Sequence, residues 1–203
     1  EMIKLAASDP QIAVTHDEFD KDIWLLNVNN GTINLTTGEI HPHNARDMIT
    51  KLSPVDYNPG ASSELWHNFL NDVTGGDEEF GKFLQKAVGY SMTGDTSEEA
   101  LFFIYGPTAT GKSTFLEAVK SILGEYNKIA DFESFLQHSK SSGHSDDIAA
   151  LEGARMVVSV EVNEGKRLAE GLIKQITSGD PIACRPIYGR SYSYYPQMKL
   201  WLA

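Results

Sequence analysis

The chain has 203 residues, of which 41% are hydrophobic and 22% are charged, and its formal net charge is −11 at neutral pH. These proportions are typical of a globular protein with a packed core. The apolar runs are too short for a membrane helix, which needs roughly 20 apolar residues. Cys184 is the single cysteine, so no intrachain disulfide can form. Together with the lack of a secretory-type signal pattern, this favours a protein of the cytoplasm.

The charge is divided unevenly along the chain. Residues 1–100 contain 17 acidic and 6 basic residues, whereas residues 101–203 contain 11 of each. After Asp180 the chain has no acidic residue, and its bases there stand among several tyrosines. An acidic first half indicates a solvated surface and argues against nonspecific coating of DNA by that half.

Residues 1–60 are predicted to form strands and turns. The dipeptides Asn-Gly at 30–31 and Thr-Gly at 37–38 favour tight hairpin turns on either side of the alternating stretch 32–35. The segment 54–60, PVDYNPG, consists of turn-forming residues and is predicted to be a loop.

Residues 61–95 are predicted to be helical. Ser62 or Ser63 can cap a helix that runs to about Val73. The acidic residues 77–79 stand at the positive end of a second helix, which runs to about residue 90. The large apolar side chains of these helices, among them Trp66, Phe80 and Phe83, are expected to be core residues, as is Trp24 in the preceding segment.

The remaining segment, residues 96–203, shows a different pattern, in which strands alternate with helices. A helix is predicted at residues 112–123, where apolar positions follow helical spacing and Gly124 ends the pattern. Short strands of the buried type are predicted at residues 101–105, 155–160 and 198–203. This alternation implies a parallel sheet with crossover helices, that is, an α/β fold.

A glycine-rich loop lies between the first of these strands and the helix. Residues 106–113, GPTATGKS, complete the pattern G-x-x-x-x-G-K-[ST]. In such a loop successive main-chain N–H groups point at phosphate oxygens, the lysine reaches the β- and γ-phosphates, and the serine hydroxyl ligates Mg²⁺. The sequence therefore predicts a site for ATP and Mg²⁺, formed by Gly106, Pro107, Thr108, Ala109, Thr110, Gly111, Lys112, Ser113 and Thr114.

Hydrolysis of ATP also requires an acidic residue at the end of a neighbouring strand. Glu161 directly follows the predicted strand 155–160, where the carboxyl end of a parallel sheet opens onto its ligand. Glu164 is a second candidate. Most enzymes with this type of loop carry two adjacent acids here, but Glu161 is followed by Val162. Glu161 is thus a candidate catalytic and metal-side residue beside Lys112 and Ser113, and whether it binds the metal, acts as the base, or does both stays open.

Beyond these motifs, the sequence resembles a known family. The glycine-rich loop and the stretches LEGARMVVSVEVNEGKRLAE, GLIKQITSGDPIACRPIYGR and YYPQMKLWLA resemble the superfamily 3 helicase core, in its phage and plasmid primase–helicase branch. The block IKQITSGDPIACR, residues 173–185, is the most specific part of the likeness. The segment NVNNGTINLTTGEI, residues 27–40, resembles the domain that precedes the motor in that branch.

This resemblance implies an AAA+-type P-loop ATPase with a largely parallel sheet, preceded by a small α+β domain. In that fold the strand at 198–203 lies between those at 101–105 and 155–160. Members of the family use ATP to unwind DNA, usually as hexameric rings with each ATP at a subunit boundary, and a primase domain commonly lies upstream. A bacterial host cytoplasm, with a phage or prophage origin, is the expected setting.

The resemblance also implies a hairpin at about residues 182–195 that faces the DNA channel, with its tip near 186–190. Basic side chains there can contact phosphates and tyrosines can stack on bases, as in proteins that bind single strands. The alternative is a solvated hairpin whose tyrosines pack on the protein. The expected DNA-binding residues are Lys174, Arg185, Tyr188, Arg190 and Lys199.

Two departures from the family pattern bear on activity. Thr110 stands where the family often has Asn, a change that main-chain binding of phosphate should tolerate. The polar residue that ends the family's sensor strand would follow Ala203, and the chain begins with Glu1 rather than Met. We therefore expect a piece of a longer protein, with an exposed strand at 101–105 and little ATPase activity of its own.

Two other classes of protein are compatible with a phosphate-binding loop. One is a P-loop phosphotransferase such as a nucleotide kinase, but residues 124–151 lack the arginines of a kinase lid. The other is a noncatalytic nucleotide-binding assembly module, for which substitution of Glu161 would leave turnover unaffected.

Overall fold

The computed structural model describes residue 9 and residues 12–137, 145–160, 166–187 and 189–203. Its first part is a three-stranded antiparallel meander of β1 (Leu25–Val28), β2 (Gly31–Asn34) and β3 (Ile40–His41). Strand β2 begins at a glycine because a methyl group on Gly31 would lie 2.5 Å from a main-chain oxygen of β3. The strands and turns expected from the sequence in this segment are confirmed.

Two helices follow the meander, α1 (Glu64–Thr74) and α2 (Glu78–Met92). The Ser63 side chain accepts a hydrogen bond from the main-chain N–H of Trp66, and Asp77 caps α2 in the same way through two N–H groups. The predicted helices and caps are confirmed. The predicted burial is only partly correct, because Trp24, Phe80 and Phe83 are 37%, 43% and 53% exposed.

The last part is an α/β unit. A four-stranded parallel sheet runs in the order β4-β9-β6-β5, so β9 lies between β4 and β6. Both the parallel sheet and this strand order agree with the expectations from the sequence. An antiparallel hairpin of β7 and β8 stands apart from the sheet. The elements are β4 (Phe102–Phe103), α3 (Lys112–Leu123), β5 (Asn127–Ile129), α4 (Ser145–Ala149), β6 (Met156–Ser159), α5 (Glu170–Ser178), β7 (Ile182–Cys184), β8 (Tyr192–Tyr194) and β9 (Lys199–Leu202).

The sheet is buried on both faces. Met156 and Val158 of β6 pack in one cluster with α3, α2 and the meander, whereas Val157 packs on the opposite face with α4, α5 and the hairpin. Because successive side chains of a strand alternate between faces, a strand covered on both sides is apolar throughout. Within the described ranges, no helix is both long and apolar enough to cross a membrane.

Arg155 joins the meander and the helices to this sheet. Its side chain is 3% exposed, and its guanidinium donates to the main-chain oxygens of Leu25 at 2.7 Å and Met92 at 2.8 Å. The group also lies 4.7 Å from the centre of the Tyr126 ring. The three predicted segments, 1–60, 61–95 and 96–203, therefore pack on one shared core.

Candidate functional site

The glycine-rich loop connects the end of β4 to the start of α3, at the carboxyl edge of the parallel sheet. Gly106 and Gly111 have φ angles of 149° and 85°, in the region that glycine adopts without steric cost. Ala109 also has a positive φ, 62°, which costs a residue with a Cβ about 1 kcal/mol. The loop thus holds a local conformation that the flanking strand and helix must support.

The main-chain N–H groups of this loop are available to a ligand. Among the described residues, no N–H of residues 108–114 donates to a protein oxygen, and the first closing bond of α3 runs from the N–H of Phe115 to the oxygen of Gly111. The first N–H groups of a helix have no partner within the helix. A row of such groups next to the positive end of a helix is suited to bind an anion.

Lys112 places a positive charge inside the loop. Its ammonium donates to the main-chain oxygens of Gly106 at 2.8 Å and Pro107 at 2.7 Å. The Thr110 hydroxyl also donates to the oxygen of Pro107, at 2.9 Å. The charge therefore already lies where the loop amides would hold a phosphate, and Ser113 and Thr114 are exposed beside it at the start of α3.

Beside the loop lies a cavity of about 600 Å³. A volume of this order suits a small organic ligand, which such cavities hold by apolar contact and a few polar groups. The loop and Lys112 form its polar wall. Its apolar wall comes from α1, α2, α3 and the sheet with the residues that follow β4, through Val73, Phe80, Phe83, Phe103, Tyr105, Phe115 and Trp201.

The strand registers show that three strands of the sheet end at the same level beside the loop. Phe103 of β4 pairs with Leu202 of β9, and Leu202 pairs with Ser159 of β6, so the three strands end level with one another. Adjacent strands lie about 5 Å apart, so β6 ends about 10 Å from β4. Glu161 follows the end of β6 by two residues; Glu161 and Glu164 lie outside the described residues.

The expected hairpin is present at β7 and β8. Arg185 and Arg190 are exposed in the loop that connects the two strands, where the Arg185 Nε donates to the oxygen of Gly189 at 3.2 Å. Lys174 is exposed on α5, and Tyr188 lies outside the described residues. The hairpin thus presents basic side chains to solvent.

Two tyrosines of the hairpin pack on the protein instead. The Tyr192 hydroxyl donates to a carboxylate oxygen of Glu152, and that of Tyr194 donates to the main-chain oxygen of Ile148. Burial raises the pKa of the nearby Cys184 thiol. Tyr195, by contrast, is 72% exposed, so packing on the protein holds for two of these tyrosines and not for the third.

Lys199 is not a DNA-binding residue in this structure, which corrects the expectation from the sequence. Its side chain is 1% exposed, and its ammonium donates to the main-chain oxygens of Thr93, Asp95 and Gln197 at 2.5, 3.0 and 3.1 Å. The ammonium also lies 4.7 Å from the centre of the Tyr90 ring. Because β9 is a central strand, its lysine is enclosed and cannot reach a nucleic acid.

No sequence pattern indicated the residues of α1 that pack against the loop. Helix α1 lies against Gly111, where an added methyl group would be 2.7 Å from the Cγ1 of Val73. No local signal in the sequence could have shown this contact, because the two residues are distant along the chain.

Fold and site together define a mixed α/β protein with a parallel sheet and a glycine-rich loop at its carboxyl edge. Residues 1–75 match the family described as D5 N terminal like, and residues 104–203 match a family of unknown function, DUF5906. With the relatives below, these matches confirm the resemblance to the phage and plasmid primase–helicase family.

The chain is also similar to known proteins, two of which are described here. L207/L206 of Acanthamoeba polyphaga mimivirus, named as a candidate helicase, is 26% identical over 188 residues, which are 90% of this chain and 20% of that protein. The uncharacterized mitochondrial protein ymf21 of Marchantia polymorpha is 29% identical over 69 residues, 34% of this chain and 38% of that protein. The chain therefore spans about a fifth of the mimivirus protein.

Among solved structures, the chain is similar to the C-terminal region of NrS-1 in its apo form. One such structure has a TM-score of 0.53 at 16% identity and covers 75% of this chain and 35% of that one. A second has a TM-score of 0.54 at 15% identity, with coverages of 75% and 34%. At this identity the likeness concerns the fold.

Proposed function

We propose that this chain is part of an ATP-driven DNA helicase motor of superfamily 3, in a replicative primase–helicase that works as a hexameric ring. The observation that carries the proposal is the loop at residues 106–114, which combines free main-chain N–H groups with the ammonium of Lys112. The family resemblance and the helicase name of the mimivirus relative support the same conclusion.

Nucleotide binding follows from the chemistry of this loop. The N–H groups of residues 108–114 bind the phosphate oxygens, and the positive end of α3 adds its partial charge. Lys112 exchanges the oxygens of Gly106 and Pro107 for those of the β- and γ-phosphates, which carry full negative charge and bind the ammonium more strongly. The adjacent cavity accommodates the remainder of the nucleotide.

The residues present fit a magnesium ion. The exposed hydroxyl of Ser113 is a hard oxygen ligand at the start of α3, next to the loop amides. Glu161 follows β6 by two residues in the sequence and would supply a carboxylate oxygen on the metal side. A bound Mg²⁺ would neutralise charge on the phosphates, and Glu161 would orient the attacking water and accept its proton.

DNA binding is assigned to the hairpin and α5. Arg185, Arg190 and Lys174 are exposed and carry positive charge, and Tyr188 stands between the two arginines in the sequence. Such charges bind the phosphate backbone without regard to sequence. Within a ring, equivalent hairpins of neighbouring subunits would line one channel, and a primase domain would lie in the same polypeptide.

The proposal is tested in the natural full-length protein that contains these 203 residues. Lys112→Ala is expected to abolish ATP binding, measured by titration with a fluorescent ATP analogue, because the γ-phosphate loses its counter-charge. Lys120→Ala is the matched control, since Lys120 lies on the same helix and pairs with Glu117 at 2.6 Å. Unchanged affinity in Lys112→Ala would contradict a phosphate role for the loop.

Turnover separates the motor from the other classes. Glu161→Gln should keep ATP bound but lower DNA-stimulated hydrolysis by about a thousandfold or more, because the carboxylate is lost. Wild-type hydrolysis in this variant would favour a noncatalytic binding module. Phosphate transfer to a nucleoside acceptor in the wild-type protein would favour a kinase.

A further inference from the structure

Helix α1 forms the rear wall of the phosphate loop. A methyl group added to Gly111 would lie 2.7 Å from the Cγ1 of Val73 and 3.1 Å from the Cε2 of Phe69. Since non-bonded carbon atoms are normally about 3.5–4.0 Å apart, the backbone of Gly111 and these two side chains are already in contact. Gly111 is therefore required both by its φ of 85° and by the closeness of α1.

The same helix is braced against the first turn of α3. Trp66 stacks on Phe69 with ring centres 5.4 Å apart and on Phe115 with ring centres 6.1 Å apart. Phe115 is buried and follows the loop directly, and its N–H bonds to the oxygen of Gly111. Two points of contact, at Gly111 and Phe115, thus fix α1 relative to the residues that would hold phosphate.

Helix α1 is nevertheless only partly buried. It has no fully buried residue, and Leu65 on its outer side is 81% exposed. A groove of about 910 Å³ is lined by residues of α1, α2 and α3. An element with few buried contacts can shift at little cost, so a displacement of α1 would act mainly on the loop.

We propose that Val73 and Phe69 are positioning residues for the phosphate loop, and that the placement of α1 and the affinity for nucleotide are thereby coupled. This inference rests on the proposed function, because it concerns the same site. A loop that binds through several N–H groups loses affinity when its backbone shifts by a fraction of an ångström. Coupling is reciprocal, so bound nucleotide must in turn hold α1 in place.

The first test removes the contact. Val73→Ala in the full-length protein is expected to weaken binding of a slowly hydrolysed ATP analogue about tenfold, because the methyl groups of Val73 that support Gly111 are removed. Val73→Thr, which has nearly the same shape, should restore wild-type affinity. Leu65→Ala is the matched control on the same helix and should bind as wild type, and thermal unfolding of each variant verifies that it is folded.

The second test measures the reciprocal effect by amide hydrogen exchange. The same ATP analogue should slow exchange in residues 64–74 of the wild type and of Leu65→Ala, but not in Val73→Ala. Wild-type affinity in a folded Val73→Ala, or protection confined to residues 106–114, would overturn the inference. If Lys112→Ala also bound nucleotide normally, the proposed function itself would fail, so the two failures are distinguishable.

Discussion

Replacing Lys199 with Met keeps the length of the side chain but removes its ammonium. The main-chain oxygens of Thr93, Asp95 and Gln197 then lose the donor that they share. Leaving a buried acceptor unpaired costs about 1–3 kcal/mol, and three acceptors lose this donor. Removing the buried charge offsets part of this loss, so we expect the free energy of unfolding at neutral pH to fall by about 1–3 kcal/mol.

The cost of this substitution should also depend on pH. Burial, aided by the nearby charge of Arg155, lowers the pKa of Lys199 from its ordinary 10.5 to about 7. Between these values the unfolded chain binds more protons at this site than the folded chain, so the wild-type free energy of unfolding rises with pH. The rise from pH 7 to pH 9 is about 2 kcal/mol and is absent in Lys199→Met, so the difference between the proteins widens.

Urea unfolding followed by circular dichroism at several pH values measures both effects. Lys174→Met is the matched control, because Lys174 is exposed on α5 and its substitution should change stability by less than about 0.5 kcal/mol. A Lys199→Met protein as stable as wild type, or a cost that stays constant from pH 7 to pH 9, would refute the reasoning about its burial.

Two further substitutions test other parts of the structure. Arg190→Ala should weaken binding of the full-length protein to a single-stranded oligonucleotide and reduce the salt dependence of that binding by about one unit of slope. Lys82→Ala is the control and should do neither, because Lys82 lies on α2 and pairs with Glu79. Unchanged salt dependence would exclude Arg190 from the interface. Ser63→Ala should lower the free energy of unfolding by about 1 kcal/mol by removing the cap of α1, and Ser62→Ala, which leaves that cap intact, should not.

Local patterns predicted the helices and strands well where the sequence marks their ends. The helix at residues 112–123 was predicted at its observed bounds, because Gly124 ends the apolar pattern. In the structure, Gly111 and Gly124 flank the helix with positive φ angles of 85° and 53°. The order of strands could not be obtained in this way. Strand β4 has only two residues, and its pairing with β9 depends on contacts across almost 100 positions of the chain.

The incorrect predictions concern the burial of side chains rather than the secondary-structure elements that contain them. Phe80 and Phe83 lie at helical spacing, but they face the cavity beside the loop and stay partly exposed. Lys199 lies near basic and aromatic residues in the sequence, which favoured a DNA contact. Its strand is nevertheless enclosed by neighbours on both sides, a fact that only the tertiary structure supplies.

The position of Arg155 has a consequence for how the molecule unfolds. Because one guanidinium donates to oxygens of both the meander and the end of α2, neither part can detach without removing a hydrogen bond from a buried cation. Loss of the amino-terminal strands would therefore also loosen the central sheet. Heating should produce a single cooperative transition rather than separate melting of the first 60 residues, and a protease cut near residue 60 should not release an independently stable core.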